Sequence, residues 1–216
     1  MQLFKRNQVE EAILRTLGAR DARAAELKLR LHRLLVIDRR LGRGKRGRDG
    51  TGSRYAFYSQ EPPGSGIEVM FSGFEAFALL LAIMLLEHGI PQATVVSILR
   101  QVRGDLETAH AQRLKMDRKV LFDPQAVREM VKPGMIATDN TAPLFLAFVR
   151  LSGSEVDAKV HEAITVCRGH EELVAFVAKH SVPGLGATFF ELVGLMLKLA
   201  DNLAQTRPMR RGRASI

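Results

Sequence analysis

The stretch from Phe74 to Leu86 is apolar on every side of a helix, interrupted only by Glu75, and no other feature constrains the fold of this chain as much. A helix without a polar face has to be buried, so its neighbours must wrap it. Its limits are legible. Ser72-Gly-Phe-Glu75 has the form of a capping box and His88-Gly89 is a stop signal, which together predict a helix over 73–87. The run falls short of the roughly 18 consecutive apolar residues that a membrane span requires, so it reads as core.

Elements able to cover it lie on both sides. Val9, Ile13 and Leu17 recur at fourfold spacing beside Ala12 and Thr16, the stripe of a short helix over 7–17 that Gly18 ends. Asp21 is a fitting N-cap for a second helix, 21–41, whose Ala24, Leu27, Leu31, Leu34 and Leu35 point inward and which ends near Gly42. Arg23, Arg30 and Arg33, separated by seven and three, share a side away from those leucines. Pro91 suits the first turn of a helix over 91–115 with Val95, Ile98, Leu99, Val102 and Leu106 as its apolar face. Between the second and third helices, Arg54–Ser59 and Gly66–Phe71 read as short strands joined by Gln60-Glu-Pro-Pro-Gly-Ser65, a β-hairpin.

After Met116 the texture changes. A connector over 116–140 carries a short helix near Pro124–Val131 and breaks at Lys132-Pro-Gly and Asp139-Asn-Thr-Ala-Pro143. Leu144–Val149 suits a buried strand or a helix start, which periodicity does not separate at this length. Ser154-Glu-Val-Asp157 and Thr188-Phe-Phe-Glu191 have the form of capping boxes opening helices over 155–179 and 188–205. The fold class expected is mainly α. Residues 1–115 form one domain, 116–206 a helical C-terminal region for dimerisation or an effector, and 207–216, with Arg207, Arg210, Arg211 and Arg213, a basic disordered tail.

The charge is as unevenly distributed as the hydrophobicity. Fifteen Lys or Arg against six Asp or Glu lie in the first sixty residues and account for the whole net charge of +9. Such a local field selects polyanionic partners. It is densest where Arg39, Arg40, Arg43, Lys45, Arg46 and Arg48 are spaced by Gly42, Gly44 and Gly47, a pattern that predicts a flexible arm able to track phosphates.

A short helix, a tight turn, a second helix with a basic face, a basic loop, a hairpin and two further helices follow in that order over residues 3–103. In this order the chain resembles the winged helix-turn-helix of MerR-type regulators, with Phe4–Leu17 as first helix, Asp21–Leu41 as recognition helix, Arg54–Phe71 as wing and Phe74–Arg103 as the following pair. Glu87-His-Gly-Ile-Pro-Gln-Ala-Thr-Val-Val-Ser-Ile-Leu resembles the family's glycine-marked junction. The second helix is longer than the family's, its aromatic-aromatic-acid signature is absent, and the hairpin connection is long and proline-rich. The resemblance implies that Arg23, Arg30 and Arg33 face base edges and that Arg20 and Lys28 hold phosphates. It makes Arg43, Lys45, Arg46 and Arg48, with Arg54, a wing or arm whose arginines can enter a narrow minor groove.

Competing chemistry has less to stand on. Tyr55, Phe57 and Tyr58 could stack on unpaired bases, but strand alternation makes Tyr55 and Phe57 a pair for the wing core. His161, Cys167, His170 and Asp157 lack a consistent metal-ligand spacing. Glu171 and Glu172 adjoin and point apart on a helix. Gly42-Arg-Gly-Lys-Arg-Gly47 has the glycine spacing of a dinucleotide fingerprint yet follows a basic helix rather than a strand. No enzyme activity, metal or cofactor is expected. A single cysteine excludes an intrachain disulfide and fits a reducing cytosol. The expectation is a bacterial transcriptional regulator that binds double-stranded DNA sequence-specifically, cytoplasmic and nucleoid-associated. It is expected to be a homodimer through helix 91–115 or the C-terminal helices, with a small-molecule or protein effector at the C-terminal region and no membrane partner. The alternative is a helical interaction module whose basic end binds RNA, an acidic protein or anionic lipid. The leucine face of helix 21–41 discriminates, because a lipid binder would expose it.

Overall fold

A computed structural model describes residues 2–18, 21–43, 54–63, 67–130, 136–151, 161–180 and 186–208. The chain is mainly helical with two small sheets and divides into two units, Met1–Gly104 with Met196–Ile216, and Asp105–Leu195.

In the first unit, α1 (Arg6–Leu17), α2 (Asp21–Arg43) and α3 (Gly73–Glu87) pack on one another. Gly18, at φ 63°, ends α1 in the left-handed conformation that glycine adopts without a Cβ clash. The capping box of α3 forms as its sequence requires: Ser72 Oγ accepts from the Glu75 amide at 3.1 Å, and Glu75 Oε2 accepts from the Ser72 amide at 2.7 Å. Phe74–Ile83 and Leu85 are buried, so the helix without a polar face is the centre of the unit. Its buried leucines, Leu79, Leu80, Leu81 and Leu85, each contribute about 1.5–3 kcal/mol relative to an exposed side chain. The helix α4 (Gln92–Leu114) follows, and Val95, Ile98, Leu99, Val102 and Leu106 are buried as its periodicity predicts. Far along the chain, Thr206 and Asn202 return to α1. Gln8 Nε2 donates to the Thr206 carbonyl at 3.1 Å, and Asn202 Nδ2 to Thr16 Oγ1 at 2.9 Å.

The expected hairpin is not formed by its two segments. Met70–Phe71 (β2) pairs antiparallel with Phe4–Lys5 (β1), and the described residues 54–63 contain no strand. The reason is where the backbone groups find partners: the Ala56 and Phe57 amides donate to the Asp38 carboxylate, the Ser59 amide to Glu75, and the Ala56 carbonyl accepts from Arg103. Side chains replace the partner strand.

The second unit is not the helical region expected. Leu144–Leu151 (β3) lies between His161–Arg168 (β4) and Ala187–Glu191 (β5), antiparallel to both. The short helices α5 (Arg118–Leu121) and α6 (Pro124–Met130) precede the sheet, and α7 (His170–His180) connects β4 to β5 across β3. Phe145, Ala147, Val149, Cys167, Leu173 and Phe176 form the core between sheet and helix. The helix expected over 155–179 survives only as α7. Ile164-Thr-Val166 is a β-branched run that packs better in a sheet, and Gly169, at φ 100°, separates strand from helix. Ser154–Asp157 lies outside the described residues. The helix expected from 188 begins later, as α8 (Val193–Gln205), because Thr188–Glu191 belongs to β5. Glu191 caps it from outside, its Oε1 accepting from the Val193 amide at 3.0 Å.

Candidate nucleic-acid interface

The helix α2 has two faces of opposite character. Leu27, Leu31, Leu34 and Leu35 are buried, and the fully buried Asp38 shares their side. On the opposite side, Arg33 and Arg40 lie one heptad apart in one row, with Lys28, His32, Arg39 and Arg43 in the rows beyond. Between these rows Leu29 and Val36 are 48% and 49% exposed. The Arg23, Lys28, Arg33, Arg40 and Arg43 side chains form neither ion pairs nor hydrogen bonds with other described residues.

The three arginines expected to share one reading face divide. Arg23 and Arg30 edge an open cleft with Leu17, Leu27, Ile83 and Glu87, and Arg30 Nη2 is held by Glu26 at 2.5 Å, while Arg33 is not part of that cleft's lining. The glycine-spaced arm is also redrawn. Helix α2 continues to Arg43, which places Arg39, Arg40 and Arg43 on a rigid helix. Gly42 serves close packing there, since a Cβ on it would stand 2.1 Å from Cε1 of Tyr55. Arg54 is not a free wing cation. Its Nε donates to the Gly42 carbonyl at 2.9 Å, its guanidinium lies over the Tyr55 ring at 5.3 Å, and Glu61 is 3.9 Å away, which makes it a cationic cap on the C-terminus of α2. Arg39 is oriented by Tyr58, donating from Nε to the phenol at 3.1 Å. Arg20, Lys45, Arg46 and Arg48 lie outside the described residues.

A buried polar cluster, missed in the sequence, fixes this arrangement. Both Asp38 oxygens accept from the Ala56 amide at 3.0 Å, and Oδ1 accepts from Arg100 Nε at 2.9 Å and Nη2 at 2.7 Å. Arg103 donates to the Ala56 carbonyl and, at 3.1 Å, to Ser59 Oγ. Glu75 accepts from the Ser59 amide at 2.6 Å as well as capping its own helix. Segment 54–59 is thereby clamped to α2, α3 and α4. The available signal was Asp38 itself, an acid on the leucine side of its helix, which must be compensated by a donor set when buried. Tyr55, Phe57 and Tyr58 are buried in the same cluster and offer no surface for stacking on bases. Burial raises the Tyr58 phenol above its ordinary value, with Arg39 opposing the shift.

No group of three potential metal ligands occurs among the described residues. The Cys167 thiol is buried and pushed up to about 11 by desolvation and by Glu172, so it is protonated at neutral pH. His170 stands edge-on to Phe145 with ring centroids 5.5 Å apart, and Glu172 Oε2 accepts from the Arg168 amide at 2.6 Å. Among the described residues no helix is long and apolar enough to cross a membrane. Protein-family models, curated proteins and solved structures contain no match to this chain.

Proposed function

We propose that this chain binds double-stranded DNA sequence-specifically and regulates transcription, with α1 and α2 as a helix-turn-helix pair and α2 as its reading element. The single observation that carries the reading is the polarity of α2: a leucine face buried against its neighbours and an opposite face of cations, of which Lys28, Arg33, Arg40 and Arg43 have no ion-pair partner among the described residues. A row of guanidiniums on a rigid cylinder suits phosphate and base-edge contacts in a major groove, and the net charge of +9 confined to the first sixty residues supplies the attraction. The resemblance to MerR-type regulators supports the same assignment, with β2 paired to β1 in place of a hairpin wing. A lipid surface is disfavoured, because the leucines that would enter it are occupied.

The test is the salt dependence of duplex binding by the full chain. Replacing Arg33 and Arg40 with Gln should reduce the slope of log K against log salt by about 2 if each holds a phosphate. Failure to bind any duplex at low salt would remove DNA as the partner. Selection from a random duplex pool then separates specific from non-specific binding, and an unenriched pool would end the claim to regulation.

A further inference from the structure

A second feature of the first unit shares α2 with the proposed reading face but rests on its own geometry. Arg6, His32, Val36, Arg39, Tyr58 and Phe71 line a small open cleft, with apolar side chains as floor and cationic groups at the edge. Each cation is oriented by a neighbour. Arg39 is held through Nε by the Tyr58 phenol at 3.1 Å, leaving both of its Nη groups without a partner among the described residues. Arg6 is turned by Glu10, which accepts from its Nε at 2.7 Å, and places Nη1 3.4 Å from Nδ1 of His32. Glu10 offsets the charge of Arg6, so Arg39 is the cation of the cleft with no acidic partner among the described residues, and the site suits one negative charge. The Val36 side chain, half exposed at the mouth, and the buried Phe71 ring suit an apolar body attached to that charge.

We propose that this cleft binds a small amphipathic anion, a carboxylate or phosphate group carrying an aromatic or branched aliphatic body. The guanidinium edge of Arg39 takes the anion by charge-assisted hydrogen bonds, and the floor beside Val36 takes the apolar part. Because His32 and Arg39 project from α2, occupancy withdraws cations from the outward face of that helix.

Fluorine NMR titration of the full chain with 4-(trifluoromethyl)benzoate tests this directly. Saturable binding with a Kd at or below about 1 mM is expected, and the neutral benzamide of the same shape should bind about tenfold more weakly or worse. Phenyl phosphate in a parallel arm assigns the preferred anion. Arg39→Gln should cost about tenfold and Arg39→Lys should restore part of it. Val36→Glu sets a like charge at the exposed mouth without touching the core, so it should abolish binding while the thermal midpoint stays put. Equal affinity for benzoate and benzamide, no saturation up to about 10 mM, or unaltered binding by Val36→Glu would each overturn the proposal.

Discussion

At the scale of single residues, Gly42 and His110 show how local rules reverse inside a packed unit. Helix propensity alone favours Gly42→Ala by roughly 1 kcal/mol. A methyl at that position meets the Tyr55 ring at 2.1 Å, and the ring is itself enclosed, so we expect Gly42→Ala to destabilise by about 1–3 kcal/mol. Thermal denaturation checks the sign, and a stabilised Gly42→Ala variant would show that Tyr55 can move aside. His110 is buried, and desolvation holds its imidazole down at about 4. The unfolded chain binds a proton below about 6.5 while the folded chain stays neutral until about 4, so stability falls as the pH drops through that window. By pH 5 the loss should reach about 2 kcal/mol relative to neutral pH. His110→Gln should flatten that part of the profile in urea denaturation, and a parallel profile would assign the pH dependence to other groups.

At the scale of elements, the Asp38 cluster decides which parts of the chain were legible. Helices α1 to α4 could be read because caps and apolar spacing are local signals, written within one element each. The non-local pairings were not. Phe4 pairs with Phe71, and Asp38 binds Arg100, across stretches in which no spacing rule connects the partners. The hairpin expected from Tyr55-Ala-Phe-Tyr58 failed for that reason: a strand-like composition was recruited to a helix carboxylate instead of a second strand. Strand β4 was lost to a helix because its flanking residues carry helix-start chemistry, while Ile164-Thr-Val166 favours a sheet. The candidate reading face was legible as charge but not as geometry, since only the packing tells Arg33 apart from Arg23 and Arg30. Asp38→Ala should therefore cost about 3–5 kcal/mol, leaving Arg100 and the Ala56 and Phe57 amides without their acceptor. Unfolding by denaturant measures it. A loss below about 1 kcal/mol would mean that water replaces the carboxylate.

At the scale of the whole molecule, symmetry is the remaining question for a protein proposed to read DNA. One reading helix covers only a few base pairs, and helix-turn-helix proteins gain specificity by presenting two such helices to half-sites about 34–36 Å apart. We therefore propose a homodimer as the form that would carry the proposed function, with the sites selected from a random pool expected to be palindromic. Sedimentation of the protein with a selected duplex should give two chains per site. Arg33→Gln should weaken both half-sites together, and a heterodimer with one altered chain should lose affinity for one half only. If Arg33 reads a base, the variant loses more affinity for the selected site than for random duplex, each mismatched contact being worth about 1–3 kcal/mol. If it holds a phosphate, both duplexes weaken equally and the salt slope falls by about 1 per half-site. A single chain on a non-palindromic site would refute the dimer while leaving α2 as the reading element, because that assignment depends on the polarity of the helix and not on how many copies are present.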